Sequence, residues 1–185
     1  MAAIGEAMSS LEVVARPDFD KADLAWLTEI RAERTDIPGP PKFTLVFPGA
    51  DMEPAAFAAL VTARAHGVPR IRFRLRSALV VPEVAVRRFH VFLVPDEGFG
   101  AIVRLHDRLH SGPIEACLRP DTPYLPHITI ATTGSFAAAR KAAASLNADD
   151  MSIEGVVETL VVERRDGAVV TPIAEIHLAK VGWFS

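Results

Sequence analysis

The sequence predicts an α+β fold in which one strand-helix-strand-strand unit is used twice, with antiparallel sheets around a central cleft. Three observations carry this. The segment Pro41-Lys42-Phe43-Thr44-Leu45-Val46 recurs in the second half of the chain as Pro126-His127-Ile128-Thr129-Ile130-Ala131. After each copy the same order follows: a helical pattern, then two strand patterns. No flexible linker separates the halves, so residues 1–185 are read as a single domain with repeat units at 40–95 and 124–180.

Each element has a local cause. Leu11 to Ala15 is a short strand stopped by Pro17, and Asp18 or Asp20 caps a helix running to Arg34, with Phe19, Leu24, Leu27 and Ile30 near helical spacing. Pro38-Gly39-Pro40-Pro41 breaks the chain before the first repeat strand, Lys42 to Phe47, which ends at Pro48-Gly49. Pro54 opens a helix through Ala65, closed near Gly67. Pro69 to Arg76 alternates strictly, Ile71, Phe73 and Leu75 against Arg70, Arg72, Arg74 and Arg76, and Arg88 to Pro95 repeats the period. Gly98 to His110 is helical through Ile102, Leu105 and Leu109, stopped by Ser111-Gly112-Pro113. The second repeat strand, Pro126 to Thr132, precedes an alanine-rich helix from Ser135 to Leu146. Strands Ile153 to Arg164 and Val169 to Lys180 close the chain, joined at the hairpin signal Asp166-Gly167.

Composition bounds the function. A net charge of −3 supplies no overall basic field, so extended duplex DNA is not an expected partner and any polyanion site must be local. One cysteine, Cys117, allows neither an internal disulfide nor a multi-cysteine zinc site and suits a reducing cytoplasm. Glu6 and Glu12 interrupt the N-terminal stretch, which reads as no secretory signal, and no apolar run approaches a membrane span. Without heptads, a monomer is expected.

Strand parity assigns the site. If each helix covers one face of its sheet, Phe43, Leu45, Phe47, Ile128 and Ile130 face that helix, while Lys42, Thr44, His127 and Thr129 face a shared cleft. The same parity turns Arg72, Arg74, Arg76 and His90 toward it as phosphate or nucleotide contacts, and Tyr124 and Phe92 are aromatic candidates for stacking a base. An imidazole and a hydroxyl two residues apart suit proton transfer beside an anion.

These segments, with Ala25-Trp26-Leu27 to Arg31, His90-Val91-Phe92-Leu93-Val94-Pro95, Leu105-His106-Asp107-Arg108-Leu109 and Tyr124-Leu125 before the second motif, resemble the two-histidine (2H) phosphoesterase superfamily, in its 2′-5′ RNA ligase and RNA 2′,3′-cyclic phosphodiesterase-like branch. The resemblance implies a bilobal fold with two His-x-Thr/Ser motifs facing across a cleft. It implies metal-independent acid-base hydrolysis of 2′,3′-cyclic phosphates or 2′-5′ phosphodiesters, no cofactor, and a small nucleotide or RNA-end phosphoester as ligand. His127, Thr129 and Thr44 match the motifs; the first histidine is replaced by Lys42.

With a reference pKa of about 10.4, a lysine acting as base at pH 7 needs a depression of about three units, roughly 4 kcal/mol. Lys42 is therefore expected as a charged clamp on phosphate or a poor acid, leaving His127 as base. Three readings stay open: a slow phosphoesterase, a weak or silent relative that binds nucleotide or RNA-end phosphates, and a protein that keeps only the fold. His106 and His110 share a helix face at a spacing that can hold metal, but no carboxylate motif accompanies them, and no metal site is expected.

Overall fold

The computed structural model describes residues 10–180 except 38, 51, 120, 121 and 168. The expectation of no secretory signal at the N-terminus falls largely on residues 1–9, outside the described residues. The elements run β1 (Ser10–Phe19), α1 (Lys21–Arg34), β2 (Phe43–Ala50), α2 (Pro54–Ala65), β3 (Ile71–Glu83), β4 (Arg88–Glu97), α3 (Phe99–Leu109), β5 (Ile128–Thr133), α4 (Phe136–Ala148), β6 (Ile153–Asp166) and β7 (Val169–His177). The order β2-α2-β3-β4 recurs as β5-α4-β6-β7, as the duplicated pattern implies.

Helix starts follow their caps. Side chains of Asp20, Glu53 and Ser135 accept from the backbone N–H groups of Asp23, Ala56 and Ala138, satisfying donors the first turn leaves free. Gly98 precedes α3 with φ +80, and a Cβ there would stand 2.4 Å from the Arg72 carbonyl oxygen, so the close approach to β3 requires glycine.

All strand pairs are antiparallel, and the seven strands join one sheet ordered β2-β1-β6-β3-β4-β5, with β7 also on β6. Strand β6 makes the join. Along one edge it pairs with β1; along the other, Ile153 to Val157 pair with β3 and Thr159 to Asp166 pair with β7. The two halves are thus continuous through β6. Pro17 does not end β1. It lies beyond the stretch paired with β2, at a register shift opposite β6, where its missing N–H is tolerated.

The two repeat strands share a backbone irregularity. Val14 pairs with Thr44 but Val13 with Val46, leaving Leu45 as an extra residue in β2. Likewise Phe92 pairs with Thr129 but Val91 with Ala131, leaving Ile130 extra in β5. An inserted residue shifts the alternation beyond it and re-aims the side chains that follow. Leu45 and Val46 are consequently both buried, as are Ile130 and Ala131. Phe47, expected in the core beside Phe43 and Leu45, lines the cleft instead. Phe43, Leu45, Phe57, Leu75, Leu93, Ile128, Ile130 and Leu160 form the core, with α4 against β3 to β5, α1 against β5, and α2 and α3 packed together over β2, β6 and β7. No helix among the described residues is long and apolar enough to cross a membrane.

Candidate active site

A cleft of about 1080 Å³ opens where the two repeat strands begin, and Lys42, Thr44, His127 and Thr129 all line it. His127 sits just before β5. Its Nδ1 lies 2.7 Å from the Leu125 carbonyl oxygen. A carbonyl only accepts, so Nδ1 carries the proton and the lone pair resides on Nε2. Phe92 stacks on the imidazole with centroids 3.6 Å apart, and His90 stacks behind Phe92 at 5.7 Å. Burial, aided by the nearby His90, pushes the His127 pKa down to about 4 against the opposing carbonyl bond, keeping it neutral and proton-accepting at pH 7.

Arg31 ties the two repeats together. This guanidinium, 5% exposed, donates through Nη1 to the Thr129 carbonyl on β5 and through Nη2 to the Ile37 and Gly39 carbonyls at 3.3 and 3.2 Å, just before the first repeat. It lines the cleft and, among the described residues, faces no carboxylate. Its signal in the sequence is an arginine beside Ile30 on the buried face of α1. Tyr124 makes a second tie, its hydroxyl donating to the Thr44 carbonyl at 3.1 Å; burial and Asp107 drive its pKa upward.

Lys42 lines the cleft but is no free clamp. Its ammonium reaches Glu163 at 3.1 Å and Glu12 at 3.5 Å, two carboxylates that also pair with Arg16 and Arg165 at 2.6 Å each. Three cations around two buried carboxylates leave a surplus positive charge at this wall. Burial alone would raise the Glu163 carboxyl, but Arg16 and Lys42 hold it below its usual range.

The arginine row is elsewhere. None of Arg72, Arg74 and Arg76 lines the cleft; Arg74 pairs with Glu97 and Glu154, and Arg76 with Asp96 and Glu97. Strand β3 extends to Glu83 and only Val81 to Glu83 of it line the cleft, while register shifts on either side of Leu75 interrupt the alternation between the arginines and that end. Arg74 and Val81 stand seven residue steps apart along the strand, roughly 23 Å. His90 does line the cleft, with Nε2 2.9 Å from Glu83 and Nδ1 3.2 Å from the Thr132 hydroxyl. The cleft's own exposed cation is Arg119, whose guanidinium carbon stands 4.6 Å over the Phe47 ring. No spacing pattern marks it, since it lies in an irregular loop. Cys117 also lines the cleft, and burial pushes its thiol pKa up. No group of three or more metal-ligating His, Cys, Asp or Glu side chains occurs among the described residues.

Duplicated strand-helix-strand-strand units with both repeat motifs opening on one cleft define a 2H phosphoesterase-type α+β fold. The chain belongs to the 2′-5′ RNA ligase superfamily, whose profile matches residues 19–168. It superposes on Escherichia coli LigT in complex with 3′-AMP with a TM-score of 0.58 at 14% identity, covering 93% of this chain and 99% of that one. A crystal structure of a phosphoesterase gives 0.55 at 16% identity over 94% and 100%, and Kluyveromyces marxianus Usb1 gives 0.52 at 10% over 91% and 98%. At these identities the likeness establishes the fold. No curated protein matches the chain by sequence.

Proposed function

We propose that the chain is a metal-independent phosphoesterase acting on 2′,3′-cyclic phosphate or 2′-5′ phosphodiester groups of nucleotides or RNA ends. One observation carries this reading: a neutral imidazole with its Nε2 lone pair unengaged shares a cleft with the hydroxyl-bearing Thr44 and Thr129. His127 takes a proton from water as it attacks phosphorus. Thr44 and Thr129 donate to the non-bridging oxygens, where charge develops. Arg31, Arg119 and the surplus charge around Lys42 favour the anion, and Phe47 and Tyr124 offer aromatic surface to a base. LigT was crystallised with 3′-AMP, which suits a nucleotide-sized ligand here.

A binding-only reading has one observation in its favour, the engagement of Lys42 by Glu163 and Glu12, which leaves the first motif without a free proton carrier. Turnover decides. The enzyme reading expects hydrolysis of adenosine 2′,3′-cyclic phosphate or a 2′-5′-linked dinucleotide in the presence of chelator, falling by ~10² to 10⁴ in His127→Ala. Binding of 3′-AMP without turnover would establish the second reading instead.

A further inference from the structure

Hydrolysis of a phosphodiester needs two proton transfers, one from water and one to the departing ribose oxygen. His127 accounts for the first. A second imidazole in the same cleft repeats the arrangement of His127 almost feature for feature. His106, on α3, lines the cleft; its Nδ1 lies 2.7 Å from the Leu45 carbonyl oxygen, so Nδ1 carries a proton and Nε2 is the nitrogen left for exchange. Tyr124 stacks flat on it, centroids 3.7 Å apart and planes parallel, as Phe92 stacks on His127.

Its anchors are the two repeats themselves. Leu45 is the extra residue of the first repeat strand, and Tyr124 stands three residues before His127 while donating to the Thr44 carbonyl. His110, one turn further along α3 with its ring 4.2 Å away, has no such access: its Nε2 is buried without a partner.

We propose that His106 is the second proton-transfer group of this cleft, giving its Nε2 proton to the ribose oxygen that leaves phosphorus. The inference rests on the phosphoesterase reading above. Water's oxygen forms the new P–O bond while its proton passes to His127 Nε2. The P–O bond to the ribose oxygen breaks, and that oxygen takes the proton from His106 Nε2. A phosphomonoester is released, and proton exchange with solvent resets both rings, with no redox change.

The neighbourhood suits this division. Burial lowers the pKa of both rings and a carbonyl bond opposes it at each, from Leu45 and from Leu125, but Asp107 adds to the opposition at His106 while His90 adds to the lowering at His127, which is driven to about 4. Asp107 and His110 from α3 and the Tyr124 hydroxyl from the opposing loop are the titratable groups around it. A carboxylate beside one ring and a second imidazole beside the other bias the pair toward acid and base.

The test is the pH dependence of kcat/KM for adenosine 2′,3′-cyclic phosphate. Wild type should rise through pH about 4 as His127 loses its proton and fall again below neutrality as His106 loses its own. In His106→Asn the side-chain amide can still donate to the Leu45 carbonyl but has no Nε2; kcat/KM should drop by ~10² or more and the falling limb should vanish. Asp107→Asn, which leaves the packing in place, should move that limb to lower pH. A falling limb unchanged in both variants, in an enzyme still dependent on His127, overturns the inference alone. No turnover by wild type overturns it together with the phosphoesterase reading.

Discussion

Lys42→Met isolates the charge cluster at the first repeat. Glu12 and Glu163 stand directly opposite one another across β1 and β6, and each residue is only 2% exposed. Directly opposed residues place their Cβ atoms roughly 4.5–5.5 Å apart, and two like charges about 5 Å apart at an effective dielectric of about 20 repel by about 3 kcal/mol. The ammonium of Lys42 bridges them, while Arg16 and Arg165 each hold one. Removing the bridge but keeping both arginines should cost about 2–3 kcal/mol at pH 7, below the usual cost of orphaning a buried charge. For a chain of this length that lowers Tm by roughly 4–12 °C. Adding Glu163→Gln should restore part of the loss, read by urea unfolding of the single and double variants. The pH dependence has a definite sign. The Glu163 carboxyl is held below its usual range in the folded state, so its contribution is present above the unfolded value of about 4.3 and is lost as pH falls through the folded value. The gap between wild type and Lys42→Met should therefore close in acid. A Lys42→Met protein within about 0.5 kcal/mol of wild type at pH 7 would refute the bridging role.

Three further outcomes follow from the geometry. Arg31→Met strands the Thr129, Ile37 and Gly39 carbonyls and should destabilise by about 2–4 kcal/mol in denaturant unfolding, with faster amide exchange in β5. Phe92→Ala opens the face of His127 to water, so an NMR titration should move that imidazole from about 4 toward 6.5; an unmoved value would show that the stacked ring is not what buries it. Gly98→Ala combines a left-handed backbone with a Cβ 2.4 Å from the Arg72 carbonyl oxygen and should cost more than about 2 kcal/mol in thermal or urea unfolding.

Much of the fold was legible because its signals are local. The cap at Asp20, Pro54 at a helix start and the paired motifs each depend on a few neighbouring residues, and they place the helices and the duplicated order, whereas the Glu53 and Ser135 caps emerge only from the structure. The four motif residues Lys42, Thr44, His127 and Thr129 fell on one cleft because strand parity is short-ranged. What escaped was non-local. The extra residues Leu45 and Ile130 exist only relative to their partner strands, and through the first Phe47 leaves the core for the cleft. Lys42 meets a carboxylate 121 residues away, and no pattern announces such a pairing. The arginines of β3 have the expected alternation but lie at the far end of a strand longer than its alternating stretch. Arg31 and His106 look like ordinary helix residues until the carbonyls they reach are in place.

The proposed phosphoester hydrolysis depends on His127 presenting a neutral Nε2 lone pair to the cleft. Nitrogen-15 NMR of the imidazoles tests it most directly. The expected result is a proton on Nδ1 of His127, an apparent pKa of about 4, and a shift of its Nε2 resonance on addition of 3′-AMP. A proton on Nε2, a pKa near the ordinary 6.5, and no response to the nucleotide would contradict it.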